Sequence, residues 1–142
     1  MRRLAIILLV MAGLVTACSN NVFDLEVGQC FDDPEDLTEV GNVEIVDCAD
    51  PHDNEVYHVF DIPGGDDAPY PGSLSVSTSA DDGCLAAFPG FVGIDYNSSR
   101  YVVSSLQPSE QSWNDIDDRE VVCFLFDIDL AKLTGSARNT AE

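Results

Sequence analysis

The chain has 142 residues and carries 26 aspartates and glutamates against six lysines and arginines, a formal net charge of −20. That balance excludes a nucleic-acid partner, whose phosphates demand a basic surface, and the length fits one globular domain rather than two. Self-repulsion of this size works against a compact state, so an opposing term is expected.

In chain order, Arg2 and Arg3 precede an almost wholly apolar run over residues 4–14, the length of a signal-peptide core and too short for a membrane span. Leu14-Val15-Thr16-Ala17-Cys18 then sets small residues directly before a cysteine and resembles the lipobox of bacterial lipoproteins. The resemblance implies a lipoprotein signal peptide over residues 1–17, cleavage after Ala17 and a lipid-modified Cys18. Residues 18–22 then form a short linker, residues 23–136 the domain and residues 137–142 a polar tail. The expected address is the extracytoplasmic face of the cell membrane, where a two-chain anchor holds firmly because each buried CH₂ contributes about 0.8 kcal/mol. Loss of Arg2 and Arg3 makes the mature chain more acidic still. It stands off anionic headgroups unless divalent cations bridge them.

Cys30, Cys48, Cys84 and Cys123 remain, an even number in a chain read as exported, where disulfides persist. Four cysteines allow three pairings, and Cys30 with Cys48 and Cys84 with Cys123 is favoured because each pair joins neighbouring or packed elements. The chain-entropy model assigns each bridge on the order of 3 to 4 kcal/mol, the opposing term that the charge calls for. No pair has the close spacing typical of structural zinc.

Residues 43–46 and 55–62 read as two strands of a hairpin, with Asp50, Pro51, His52 and Asp53 as its turn. Residues 63–72, rich in proline and glycine, form a crossover loop. Residues 73–91 alternate serine with apolar residues, yet Val76, Ala80, Cys84 and Phe88 recur every four positions, and the helix is the reading taken. Pro89 and Gly90 end or kink it. Residues 100–106 and 120–128 are further strands, and the apolar run over 121–126 suits a central strand buried on both faces. Residues 135–142 read as a short edge strand or a frayed tail.

Three local patterns, Val27-Gly28-Gln29-Cys30-Phe31-Asp32, the stretch from Val46-Asp47-Cys48 through Pro51-His52 to Glu55-Val56, and Pro108-Ser109 with Trp113 and Asp118-Arg119-Glu120-Val121-Val122-Cys123, together resemble the septum formation domain family of actinobacterial exported proteins. The chain departs from that pattern at Ile116-Asp117, where a glycine is usual, and in the serine-rich start of its helix. The resemblance implies an α+β domain outside the cytoplasm with a link to division-septum formation, and it implies no reaction. With the elements above, the expected fold is a small, mainly antiparallel sheet with one helix packed on it and two disulfides.

His52, Glu55 and His58 lie close in sequence beside Asp50 and Asp53, a spacing compatible with a metal site or an acid–base pair. The simpler reading is a turn histidine that hydrogen-bonds a carboxylate or carbonyl. No Gly-x-Ser-x-Gly elbow and no phosphate-binding glycine loop occurs, so no triad and no cofactor is expected. The acidic runs Asp32-Asp33-Pro34-Glu35-Asp36, Asp66-Asp67, Asp81-Asp82 and 115–118 lack an EF-hand pattern and suit weak divalent-cation association on a solvated face. Trp113 and His52 are candidates for contact with a partner, the alternative for Trp113 being a core cap. Arg119 is expected to pair with Asp117, Asp118 or Glu120.

The sequence thus reads as a membrane-anchored, non-enzymatic binding or scaffolding lipoprotein. It would act in septum formation or envelope assembly through an envelope or division protein. The competing reading is an envelope metal-dependent enzyme or sensor using His52, Glu55 and His58.

Overall fold

The computed structural model describes residues 19–21, 24–34, 42–65 and 67–142, so the expected leader and the lipidation expected at Cys18 lie outside the described residues. Within them the elements run β1 (Ser19–Asn21), β2 (Cys30–Asp32), β3 (Asn42–Val46), β4 (Asn54–Asp61), α1 (Ser73–Val92), β5 (Tyr101–Leu106), α2 (Glu110–Asp115) and β6 (Glu120–Asp127). The strands form one antiparallel sheet in the order β1-β3-β2-β4-β6-β5.

As expected, β6 is interior, paired with β4 on one side and β5 on the other. Its side chains alternate by period two: Val121, Cys123 and Leu125 join the cluster beneath α1, and Val122 joins the cluster on the opposite face. The helix is also as expected. Val76, Ala80, Cys84 and Phe88 are buried at four-residue spacing, and Phe91 and Val92 extend the stripe. Burying a side chain such as Phe88 contributes about 1.5 to 3 kcal/mol. The period-two pattern at the helix start loses because none of its serines is buried, whereas the four-residue stripe meets the sheet.

The disulfides are Cys30–Cys48 and Cys84–Cys123, with Cα separations of 5.2 and 5.5 Å. The second staples α1 to β6 at the centre of the core. Beside it the Tyr57 hydroxyl donates to the Cys84 carbonyl at 2.9 Å. Burial pushes the Tyr57 phenol up, so it stays a donor.

Four expectations need correction. The hairpin of 43–46 with 55–62 does not form: β2 inserts between β3 and β4, pairing Cys30 with both Val46 and Glu55. A three-residue strand gives no periodicity to detect, and its presence converts the turn at 50–53 into a connection that passes β2. The linker over 18–22 is not slack in its middle, because Ser19–Asn21 pairs with β3 as an edge strand. Pro89 does not end α1; it is exposed, and the helix continues to Val92, where Gly93 closes it in the left-handed region with φ 92°. Finally, 135–142 is neither strand nor frayed. Ala137 is buried, and the Asn139 and Ala141 amides donate to the Phe91 and Val92 carbonyls, each at 2.9 Å.

Candidate functional site

The segment from Cys48 to Glu55 carries the chemistry that the sequence singled out, and the fold turns it inward. The Asp47 carboxylate accepts from the Ala49 amide at 2.9 Å, an Asx turn that starts the connection across the end of β2. The backbone of His52 pairs in both directions with that of Leu133, at 3.0 and 2.8 Å. Its imidazole is wholly buried and its Nδ1 lies 2.8 Å from the Asp50 carbonyl. A carbonyl only accepts, so Nδ1 is the donor in this contact, while Nε2 has no hydrogen-bond partner among the described residues.

Glu55 is equally inaccessible. Its Oε1 accepts from the Ser136 hydroxyl at 2.5 Å and its Oε2 from the Ala137 amide at 2.7 Å, while the Gly135 amide donates to the Cys48 carbonyl at 2.6 Å. The Cys48-to-Glu55 motif therefore grips residues 133–137. Buried polar groups need such partners, since an unmet one costs about 1 to 3 kcal/mol.

His52, Glu55 and His58 do not converge on one point. Among the described residues, the group of three with ligand atoms within 4.8 Å of one another is Cys30, Cys48 and Glu55. Both of those sulfurs are bonded to each other and both Glu55 oxygens already accept hydrogen bonds. His58 is half-buried and stacks on Phe60 at 5.5 Å between ring centroids.

The second motif is also internal. Ser109 caps α2 by accepting from the Ser112 amide at 3.0 Å, and Ser112 in turn donates to Asp118 at 2.8 Å. This fixes Trp113, only 2% exposed, whose indole N–H donates to the Ala68 carbonyl at 2.8 Å. The Arg119 guanidinium lies 3.8 Å from the Trp113 ring centroid and donates to the Trp113 and Asp118 carbonyls, each at 2.9 Å. Trp113 and His52 are thus interior residues, which corrects their assignment as partner contacts; Trp113 is the core cap. Backbone carbonyls, rather than the neighbouring acids alone, hold Arg119.

Asp67, Asp81, Asp82, Asp115 and Asp117 are exposed, as a solvated face requires, whereas Asp32 and Asp53 share a cation. Lys132 lies 2.8 Å from both Asp32 and Asp53, which raises its own pKa. Burial works to raise the Asp53 carboxyl, but the bonds from Lys132 and the Asp33 amide outweigh it and hold the group below its ordinary range. Asp127, almost fully buried, is held low first by its hydrogen bond from Arg100. Glu120 moves the other way: burial, then Asp61, Asp118 and Asp24, push it up. Sequence reasoning missed Lys132 and Ser136, whose partners lie 100 and 81 residues away, and no local pattern marks them. Among the described residues no helix is long and apolar enough to cross a membrane.

A family model described as Septum formation matches residues 27–141. No curated protein and no solved structure matches the chain.

Proposed function

The chain belongs to the septum formation family, and from that membership we propose that it is a membrane-anchored extracytoplasmic lipoprotein serving division or envelope assembly as a non-enzymatic binding domain. The observation that carries the non-enzymatic part is the fate of the polar motif. His52 and Glu55, the residues best suited to acid–base work, are wholly buried, and Glu55 is committed to Ser136 and Ala137. A general base must reach the proton it removes, and here the carboxylate reaches the protein's own chain. The lipobox-like run ending in Cys18 supports the anchor, and the pair of disulfides supports an oxidising compartment.

The test is the position of a tagged protein in dividing cells of the source organism, with Cys18→Ala as the unanchored control. Enrichment at the septum that disappears with Cys18→Ala is the expected result. Signal spread evenly along the envelope, or septal signal indifferent to Cys18, would overturn the anchored septal role.

A further inference from the structure

The sheet face turned away from α1 carries a second, smaller apolar cluster, and Phe124 is only half-buried against it. Where β2 and β6 end and β4 begins, this face opens into a cleft of about 310 Å³ with Phe124, Phe126 and Ser104 in its wall and Asp33, Asp53 and Leu130 among the residues around it. Leu130 is 80% exposed, beside the similarly exposed Ile128. The cleft is thus apolar at its aromatic wall and acidic at its edge.

The local charges do not cancel. Lys132 is one cation shared by the two carboxylates of Asp32 and Asp53. Asp33 is exposed, and its carboxylate accepts a hydrogen bond from Asn54 Nδ2 at 2.7 Å, with no cation paired to it among the described residues. Arg100 is matched to Asp127, and Asp129 adds a further exposed acid. An excess of negative charge therefore surrounds an unfilled apolar surface, in a chain whose net charge is already −20.

We infer that this cleft docks a basic–apolar peptide segment of a partner protein, an aliphatic or aromatic side chain resting on Phe124 and Phe126 while adjoining lysines or arginines meet Asp33 and Asp53. The inference rests on the reading of the protein as a binding domain and gives that domain a site and its partner a chemistry. The acidic field speeds and orients the approach of a cationic segment. Burial of the apolar side chain supplies affinity that charge alone, screened over about 8 Å at physiological salt, does not.

The test uses the full chain in detergent and two blocked, fluorescently labelled peptides, Lys-Lys-Leu-Phe-Lys-Lys and Lys-Lys-Ser-Ser-Lys-Lys, at physiological salt and read against a detergent blank. The first peptide is expected to bind at least tenfold more tightly than the second. Asp33→Asn and Phe126→Ser should each weaken it at least fivefold, and Asp81→Asn, on the exposed side of α1, should not. Should Phe126→Ser lower the melting temperature, the exposed Leu130→Asn replaces it. Equal binding of both peptides, or equal loss from Asp81→Asn and Asp33→Asn, would reduce the effect to diffuse charge attraction and overturn the site. A dimer in sedimentation that Leu130→Asn disperses would assign the cleft to a second copy, and also overturn it. Septal enrichment that persists when the cleft binds nothing would sink the docking site alone; an unaltered protein that shows no septal enrichment sinks the proposed septal role instead.

Discussion

Glu55 and Ala137 are joined by a 2.7 Å hydrogen bond in the interior, the amide of one near-terminal residue donating to a carboxylate that solvent does not reach. Glu55→Leu keeps nearly the same volume but removes both acceptors, leaving the buried Ala137 amide without a partner. The expected loss is about 1 to 3 kcal/mol, the cost of an unmet buried group, read as a lower urea midpoint at unchanged slope. Ser136→Ala should lose less, because the Ala137 bond survives. Two unchanged midpoints would mean that the motif does not hold residues 133–137.

The two bridges should differ in both worth and accessibility. The chain-entropy model assigns about 3 kcal/mol to the shorter loop and about 4 kcal/mol to the longer, for sequence separations of 18 and 39. Alanine replacement of Cys84 and Cys123 should therefore cost more than that of Cys30 and Cys48. Under mild reductant the order of release follows exposure: Cys48 is half-buried, whereas Cys84 and Cys123 are almost fully enclosed. Thiol labelling followed by mass spectrometry reads that order, and early labelling of Cys84 or Cys123 would contradict it.

Glu120 lies directly opposite Asp61 in the β4–β6 ladder, two carboxylates in one cross-strand pair. Its pKa is raised, so the folded chain holds this proton more tightly than the unfolded one. Its contribution is then favourable below the ordinary carboxyl range and is lost as the pH rises through the raised folded value. Glu120→Gln should melt higher than the parent at pH 7, by on the order of 0.5 kcal/mol for one like-charged pair, and the two should converge near pH 3. A constant offset across that range would remove repulsion as the cause.

Asp117 holds φ at 55°, in the left-handed region, within the Ile116-Asp117 pair where the resemblance leads one to expect a glycine. The turn is kept and its strain accepted, since aspartate tolerates this region better than most residues. Asp117→Gly should leave stability unchanged or raise it by up to about 1 kcal/mol, whereas the β-branched Asp117→Val should lower it by about 1 to 2 kcal/mol. Thermal melts of the pair decide it, and equal melting temperatures would show that the backbone here is free to rearrange.

What the sequence made legible was what repeats. The four-residue stripe from Val76 to Phe88 and the apolar run of β6 are long enough for their period to be read, and both elements lie where they were expected. The cysteine pairing followed from the same placement. Strand β2 and helix α2 are three and six residues long and carry less than two periods each. The cap of α2 has serine at its third position where the usual signal is glutamate or glutamine. At the site, the turn histidine bonded to a carbonyl and the tryptophan as a core cap were both legible, and both hold. The inward turn of Glu55 was not, because only its contacts with Ser136 and Ala137, about eighty residues away, allow that carboxylate inside.

The disulfides link consecutive cysteines, first with second and third with fourth, among Cys30, Cys48, Cys84 and Cys123. A chain delivered to an oxidising compartment from its N-terminus presents Cys30 and Cys48 before Cys84 appears. An oxidant acting on each pair as it arrives produces the native bridges without a wrong partner in reach, and no isomerase has to reshuffle them. The last move is different in kind: Glu55 waits through most of delivery for Ser136 and Ala137. For a chain exported as proposed, order of emergence favours this pairing, and residues 133–141 are the last to make their contacts.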